Sequence, residues 1–184
     1  MSNLWLQTFT GKQVFPMDMK LDDIDLVDIA HSLSRQCRYN GHSRVFYSVA
    51  EHSTLLARHA MQRKLPLHIA KIMLLHDASE AYISDICRPL KKQLPQIKPI
   101  EQIADKLVCE KFGLIWPWPE IVHEWDQRIT MDERMMLMRV HPDWECWEPL
   151  GVKIQMWSPE RAELEFFHAY NDLWGGPYVP TQSA

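Results

Sequence analysis

Motifs that would anchor, staple or export a protein are not read in the sequence. Its four cysteines, Cys37, Cys87, Cys109 and Cys146, include no Cys-x-x-Cys pair, which excludes a zinc ribbon and a thioredoxin-type motif. No stretch approaches the roughly 18 consecutive apolar residues of a membrane-spanning helix. The first residues show no basic segment followed by an apolar one, so no secretory signal is read there. A cytoplasmic, reducing setting is expected, with the cysteines as small core residues. A basic excess is also missing: 20 Lys+Arg stand against 24 Asp+Glu, a formal net charge of −4, which speaks against a nucleic-acid binder. Internal repeats and low-complexity tracts are absent. What remains is a globular mixture of 184 residues, 46% apolar, the length of one domain with enough apolar surface to offset the entropy of folding. Tryptophan is plentiful, with 8 residues, five of them between Trp116 and Trp147.

Helical periodicity dominates. A small hairpin turning at Gly11 is expected near Leu6–Phe15. A first helix covers about 25–37, with Leu26, Ile29, Ala30, Leu33 and Cys37 on one face. Ser48 caps a second, and Glu51 three residues on completes a capping box. Pro66 opens a third, which should end near Ser84. Arg88 to Pro99 holds three prolines and reads as a loop with at most a short turn. Pro99 opens a fourth helix, closed by Gly113. A fifth runs from about Pro119 to Val140, and a last one from Ser158-Pro159 to Gly175. The whole chain, 1–184, reads as one all-α domain, with a core at about 20–140 and a C-terminal helix at about 158–174.

One cluster carries chemistry. The third helix holds His76-Asp77-Ala78-Ser79-Glu80-Ala81-Tyr82. Imidazole and carboxylate suit a divalent cation. Neighbours on a helix point about 100° apart, so other helices must complete the shell, while Glu80 lies on the face of both His76 and Asp77. His52 sits on the preceding helix. Asp126 lies in a helix whose inner face is otherwise apolar (Ile121, Val122, Trp125, Ile129), and an unpaired charge there is expensive; a metal would partner it. Asp132 and Glu133 compete for that last place, Glu133 more seriously because seven residues bring it back near the face of Asp126.

The order His52, His76-Asp77, Asp126 on successive helices resembles the HD-domain phosphohydrolases. The strings Cys37-Arg38-Tyr39-Asn40-Gly41-His42, Tyr47-Ser48-Val49-Ala50-Glu51-His52-Ser53, His76 to Tyr82 and Asp85-Ile86-Cys87-Arg88-Pro89-Leu90-Lys91 are similar to the branch of bacterial 5′-deoxynucleotidases and phage dATP triphosphohydrolases. The likeness runs roughly from Phe9 to Arg139, with one departure: Trp125 stands where relatives carry a small residue. It implies an HD-domain helical bundle in which His52, His76, Asp77 and Asp126 hold a divalent ion (Co, Zn, Mn or Mg), with further ions accompanying a triphosphate. Glu80 is then the general acid/base, supported by Asp85. Arg38, Arg88 and Lys91 meet phosphate, and Tyr39 stacks on base or sugar. The expected reaction is hydrolysis of dATP to deoxyadenosine and triphosphate by water activated at the metal. The alternatives are a 5′-deoxynucleotidase acting on dNMP, and a catalytically silent HD-fold nucleotide sensor or interaction protein. The expected partner is a small nucleotide, with no nucleic acid or membrane involved. The Trp-rich stretch is expected in core and subunit contacts, which suggests a homo-oligomer. His42 is expected near the pocket without a metal role.

Overall fold

The structure is a computed structural model that describes residues 4–178. The reading of Met1 to Asn3 as free of a secretory leader lies outside them. β1 (Leu6–Gln7) and β2 (Gln13–Val14) pair antiparallel, Leu6 opposite Val14. Gly11 makes the turn at φ +89°, a conformation glycine adopts without a Cβ clash. The other regular elements are helices: α1 (Leu26–Arg35), α2 (Val49–Gln62), α3 (Leu67–Leu75), α4 (Glu80–Ile83), α5 (Arg88–Gln93), α6 (Ile97–Phe112), α7 (Glu120–Leu137) and α8 (Pro159–Trp174). Short 3-10 turns cover Leu21–Asp23 and Arg38–Gly41. The fold is all-α with a small N-terminal hairpin. Among the described residues no helix is long and apolar enough to cross a membrane.

Side-chain caps fix several helix starts. Asp25 accepts the Val27 N–H at 2.9 Å ahead of α1, Ser48 accepts the Glu51 N–H at 3.0 Å ahead of α2, and Ser158 accepts the Arg161 N–H ahead of α8, each satisfying an orphan donor of a first turn. Gly113 and Gly175 end α6 and α8 in left-handed conformation. The capping box expected on α2 is only half made. The Glu51 carboxylate instead accepts the N–H groups of Gln155, Met156 and Trp157 at 2.8, 2.8 and 2.7 Å, because those residues lie outside any helix or strand and their N–H groups have no backbone acceptor.

α2 is the central element. It packs on α1, α3 and α8, and 11 of its 14 residues are buried, so its polar side chains must find partners inside the protein. Phe166, Leu33, Leu56, Ile72 and Leu74 are fully buried around it, each contributing about 1.5–3 kcal/mol of hydrophobic stabilisation.

Three expectations are corrected. The third helix does not run to Ser84. It stops at Leu75, and the chain continues in tighter turns, Ala78 N–H to the Leu75 carbonyl and Glu80 N–H to that of Asp77, both 3.0 Å. The segment after Arg88 is helical rather than loop. Pro89 lies in the first turn of α5, where its missing N–H is not needed. For the same reason α6 starts at Ile97, with Pro99 inside its first turn rather than opening it.

Candidate metal centre

α2, the end of α3 and α7 converge on one point. α2 brings His52, fully buried, and the turn after α3 brings His76. α7 brings Asp126. One atom from each of these three side chains lies within 4.8 Å of the others. Asp126 Oδ1 is 3.2 Å from His52 Nε2 and 4.0 Å from His76 Nε2. Asp77 flanks the group, 3.3 Å from His76 Nε2 and 3.7 Å from His52 Nε2. Three of the four side chains nominated from the sequence thus converge, and the fourth, Asp77, lies beside the two imidazoles.

The back of each imidazole is occupied. His52 Nδ1–H donates to Glu133 Oε1 at 2.6 Å, and His76 Nδ1–H donates to the Met73 carbonyl at 2.9 Å. Each Nε2 is buried without a hydrogen-bond partner. In the neutral ring a donated Nδ1–H leaves the Nε2 lone pair free, the arrangement that metal-binding histidines use. Two orphaned nitrogens beside two carboxylates fit a divalent cation with nitrogen and oxygen donors. The buried His52–His76–Asp126 group can therefore bind a metal ion.

Glu133 is not a ligand of this group. It lies behind His52, fully buried, and also accepts the hydroxyls of Tyr47, at 2.9 Å, and of Tyr39. Asp132 is taken up by the Leu150 and Gly151 N–H groups, at 2.9 and 3.1 Å. Neither competes with Asp126.

The charges shape one another. Burial and the Arg38 cation push the His52 imidazole down, but Glu133 and Asp126 together raise it to about 9. Burial pushes Glu133 up, and Arg38 and His52 outweigh that, holding it at about 2. Asp126 is likewise held well below the usual carboxylate range, because the close approach of His52 and the nearby His76 outweigh burial. Glu80 goes the other way: burial, then the charges of Asp77 and Asp85, raise it, against Lys91. Asp85 is raised too, chiefly by burial.

In front of the centre lies a cavity of about 960 Å³. Asp77, Glu80, Asp85 and Asp126 line it, as do Arg38, Tyr39, Arg88 and Lys91. The tighter turns after α3 turn the chain about 120° per residue, which aligns Glu80 with Asp77 three residues earlier rather than with His76. The cations are already engaged. Arg88 donates to Asp126 Oδ2 at 2.6 Å, Lys91 lies 3.4 Å from Glu80 and 2.8 Å from Glu101, and Arg38 lies 3.5 Å from both Asp77 and Glu133. Tyr39, at φ +57°, turns its hydroxyl onto Glu133, so that end is committed to the protein. His42 is exposed and does not line the cavity.

Sequence reasoning passed over several lining groups. Trp144 and Trp147, expected in core or subunit contacts, line the cavity together with Arg134 and His123; Trp118 and Trp125 are buried as expected. Tyr47 and Glu101 were also missed, although Tyr47 opens one of the strings quoted above. A second cavity, about 510 Å³, lies between α2, residues 151–157 and α8. It holds none of the nominated site residues.

The chain matches no protein-family model. It is 43% identical over 110 residues to the uncharacterized protein YfdR of Escherichia coli, a match covering 60% of this chain and 59% of that protein. It is 33% identical over 122 residues to the uncharacterized protein RCAP_rcc00048 of Rhodobacter capsulatus, covering 62% and 61%. The chain therefore spans about three-fifths of the length of these curated relatives, and neither name states an activity.

Proposed function

We propose that the chain is an HD-type, metal-dependent phosphohydrolase acting on deoxynucleotides, with dATP as first substrate. The observation that carries this reading is the pair of imidazoles with engaged Nδ1 atoms and orphaned, buried Nε2 atoms facing Asp77 and Asp126. His52, His76, Asp77 and Asp126 would hold the ion. When bound, a divalent cation supplies Lewis acidity to a phosphate oxygen and acidifies a nearby water.

The chain's own groups do the rest. Arg88 and Lys91 line the cavity beside Asp126 and Glu80 and offer charge-assisted hydrogen bonds to phosphate. Arg38 holds Asp77 and Glu133 in place from the side. Water attacks the α-phosphorus, the bond from phosphorus to O5′ breaks, and the departing oxygen takes up a proton. Burial and two neighbouring carboxylates raise Glu80 above the usual carboxylate range, which favours its protonated form and suits it to act as the general acid at that oxygen. The products are deoxyadenosine and triphosphate.

A second reading, a 5′-deoxynucleotidase, has one observation in its favour. Arg88 and Lys91 are both already paired with carboxylates, which leaves less free cationic charge for β- and γ-phosphates. Incubation with dATP and with dAMP, each with Mn²⁺ or Co²⁺, separates the two by products. Triphosphate from dATP supports the first reading and inorganic phosphate from dAMP the second. Asp77→Ala is expected to lower turnover by at least 10²-fold while the fold persists. Failure to hydrolyse either nucleotide with any of Mn²⁺, Co²⁺, Zn²⁺ and Mg²⁺ refutes the phosphohydrolase reading.

A further inference from the structure

The cavity lining is chemically mixed. It includes Asp77, Glu80 and Asp126 with the cations Arg88, Lys91 and Lys92, and also the aromatic rings of Trp144 and Trp147 from the loop after α7, with Arg134, Asp143 and Glu145 beside them in sequence or on α7. About 960 Å³ is the upper end of the range for small-molecule sites and far more than one phosphate group fills.

The aromatic part is built. Arg134 lays its guanidinium over the Trp144 ring, 3.5 Å from the centroid, and donates to the Glu145 carbonyl at 2.7 Å. Arg128 donates to the Glu148 carbonyl at 3.0 Å, and Asp132 accepts the Leu150 N–H at 2.9 Å. Three side chains of α7, the helix that carries Asp126, thus pin both flanks of Trp147. One face of Trp144 is taken by Arg134. Trp147 has no ring or cation stacked on it among the described residues, and it remains 41% exposed while lining the cavity. A large apolar ring held open to a cavity that elsewhere binds charge is a stacking surface for a flat ligand.

We infer that Trp147 is the platform on which the nucleobase stacks, making it a specificity-determining residue that favours a purine, with its wider ring, over a pyrimidine. This rests on the phosphohydrolase reading for the phosphate end of the ligand, while the stacking itself is measurable without turnover.

The test is calorimetric binding to the full chain in EDTA, where no metal-dependent hydrolysis proceeds. The probes are dAMP, dTMP and base-free 2-deoxyribose 5-phosphate. Wild type is expected to bind them in that order of affinity. Trp147→Leu is expected to weaken dAMP roughly tenfold, about 1.4 kcal/mol, to leave the sugar phosphate unchanged, and to be largely rescued in Trp147→Phe. The inference is overturned if wild type shows no preference for dAMP over the sugar phosphate. It is also overturned if Trp147→Leu binds dAMP as wild type does, or loses both ligands equally. The two readings fail separately. Hydrolysis with an unchanged KM in Trp147→Leu removes the platform and leaves the enzyme; base-ordered binding without hydrolysis under any metal removes the enzyme and leaves the platform.

Discussion

Replacing Glu133 with glutamine tests whether the second layer of the site orients the first. Glu133 is fully buried and sits at the junction of four groups. His52 Nδ1–H reaches it at 2.6 Å and the Tyr47 hydroxyl at 2.9 Å, the Tyr39 hydroxyl donates as well, and Arg38 Nε lies 3.5 Å away. Glutamine keeps the volume but has one acceptor oxygen, and its NH₂ would face donors. At least one hydrogen bond to a charged group is lost, about 1.5–3 kcal/mol. Arg38 also loses a charge partner; breaking a buried pair outright costs about 3–5 kcal/mol, but Arg38 keeps Asp77. A total near 3 kcal/mol follows, a fall in Tm of roughly 6–12 °C for a chain of this size. Metal affinity should drop about 10- to 100-fold as His52 loses its orientation.

The protonation state supplies a second readout. With Glu133 present, the folded His52 sits at about 9, so at pH 7.5 it carries a proton that metal must displace. Without the Glu133 charge, burial and Arg38 push it down against Asp126 alone, and less of that proton remains when metal arrives. Titration with Mn²⁺ in two buffers of different ionisation enthalpy should show fewer protons released by Glu133→Gln. This easier deprotonation partly offsets the lost orientation at pH 7.5, so the affinity gap should widen as pH rises. Tyr47→Phe is the control: it removes one donor, about 1 kcal/mol, and keeps the charge, so proton release stays as in wild type. A Glu133→Gln protein that binds Mn²⁺ with wild-type affinity and wild-type proton release refutes the orienting role, whatever its Tm.

Two further outcomes follow from carboxylates that are not themselves proposed metal ligands. Burial, with Asp77 and Glu101 nearby, raises Asp105 from 3.8 to about 7; the folded chain therefore holds a proton there that the unfolded chain releases, and this contribution, whole below about pH 4, is lost as pH rises through 7. Asp105→Asn should flatten that fall and be the more stable protein at pH 8, by up to about 4 kcal/mol, in urea titrations at pH 5 and pH 8 with EDTA present; parallel losses in the two proteins refute it. Glu51→Ala strips three backbone N–H groups of their acceptor and should destabilise the fold by about 3 kcal/mol or more, with amide hydrogen exchange accelerating first at Gln155, Met156 and Trp157; unchanged protection there would mean that Glu51 does not hold the segment.

The helices were legible where periodicity and caps agree, as at Asp25, Ser48, Gly113 and Ser158, because a cap and an apolar stripe each constrain the same boundary. Arg88 to Pro99 misled because proline was counted as a breaker, although in a first turn it starts a helix. The two tryptophans of the cavity were not legible at all. Their loop has no period, and its position is set by Arg128, Asp132 and Arg134, contacts that exist only once the chain has folded. Glu133 is the instructive case. Its seven-residue spacing from Asp126 places both carboxylates on one face of α7 and made it a rival ligand. Seven residues also separate them by about 10 Å along the helix, too far for both to grip one small ion. An imidazole carries a ring nitrogen on each of two sides, and His52 fits between, its Nε2 toward Asp126 and its Nδ1 toward Glu133. Face and rise taken together thus separate the residue that can bind a metal from the one that aims its neighbour, and both quantities were available before any fold was known.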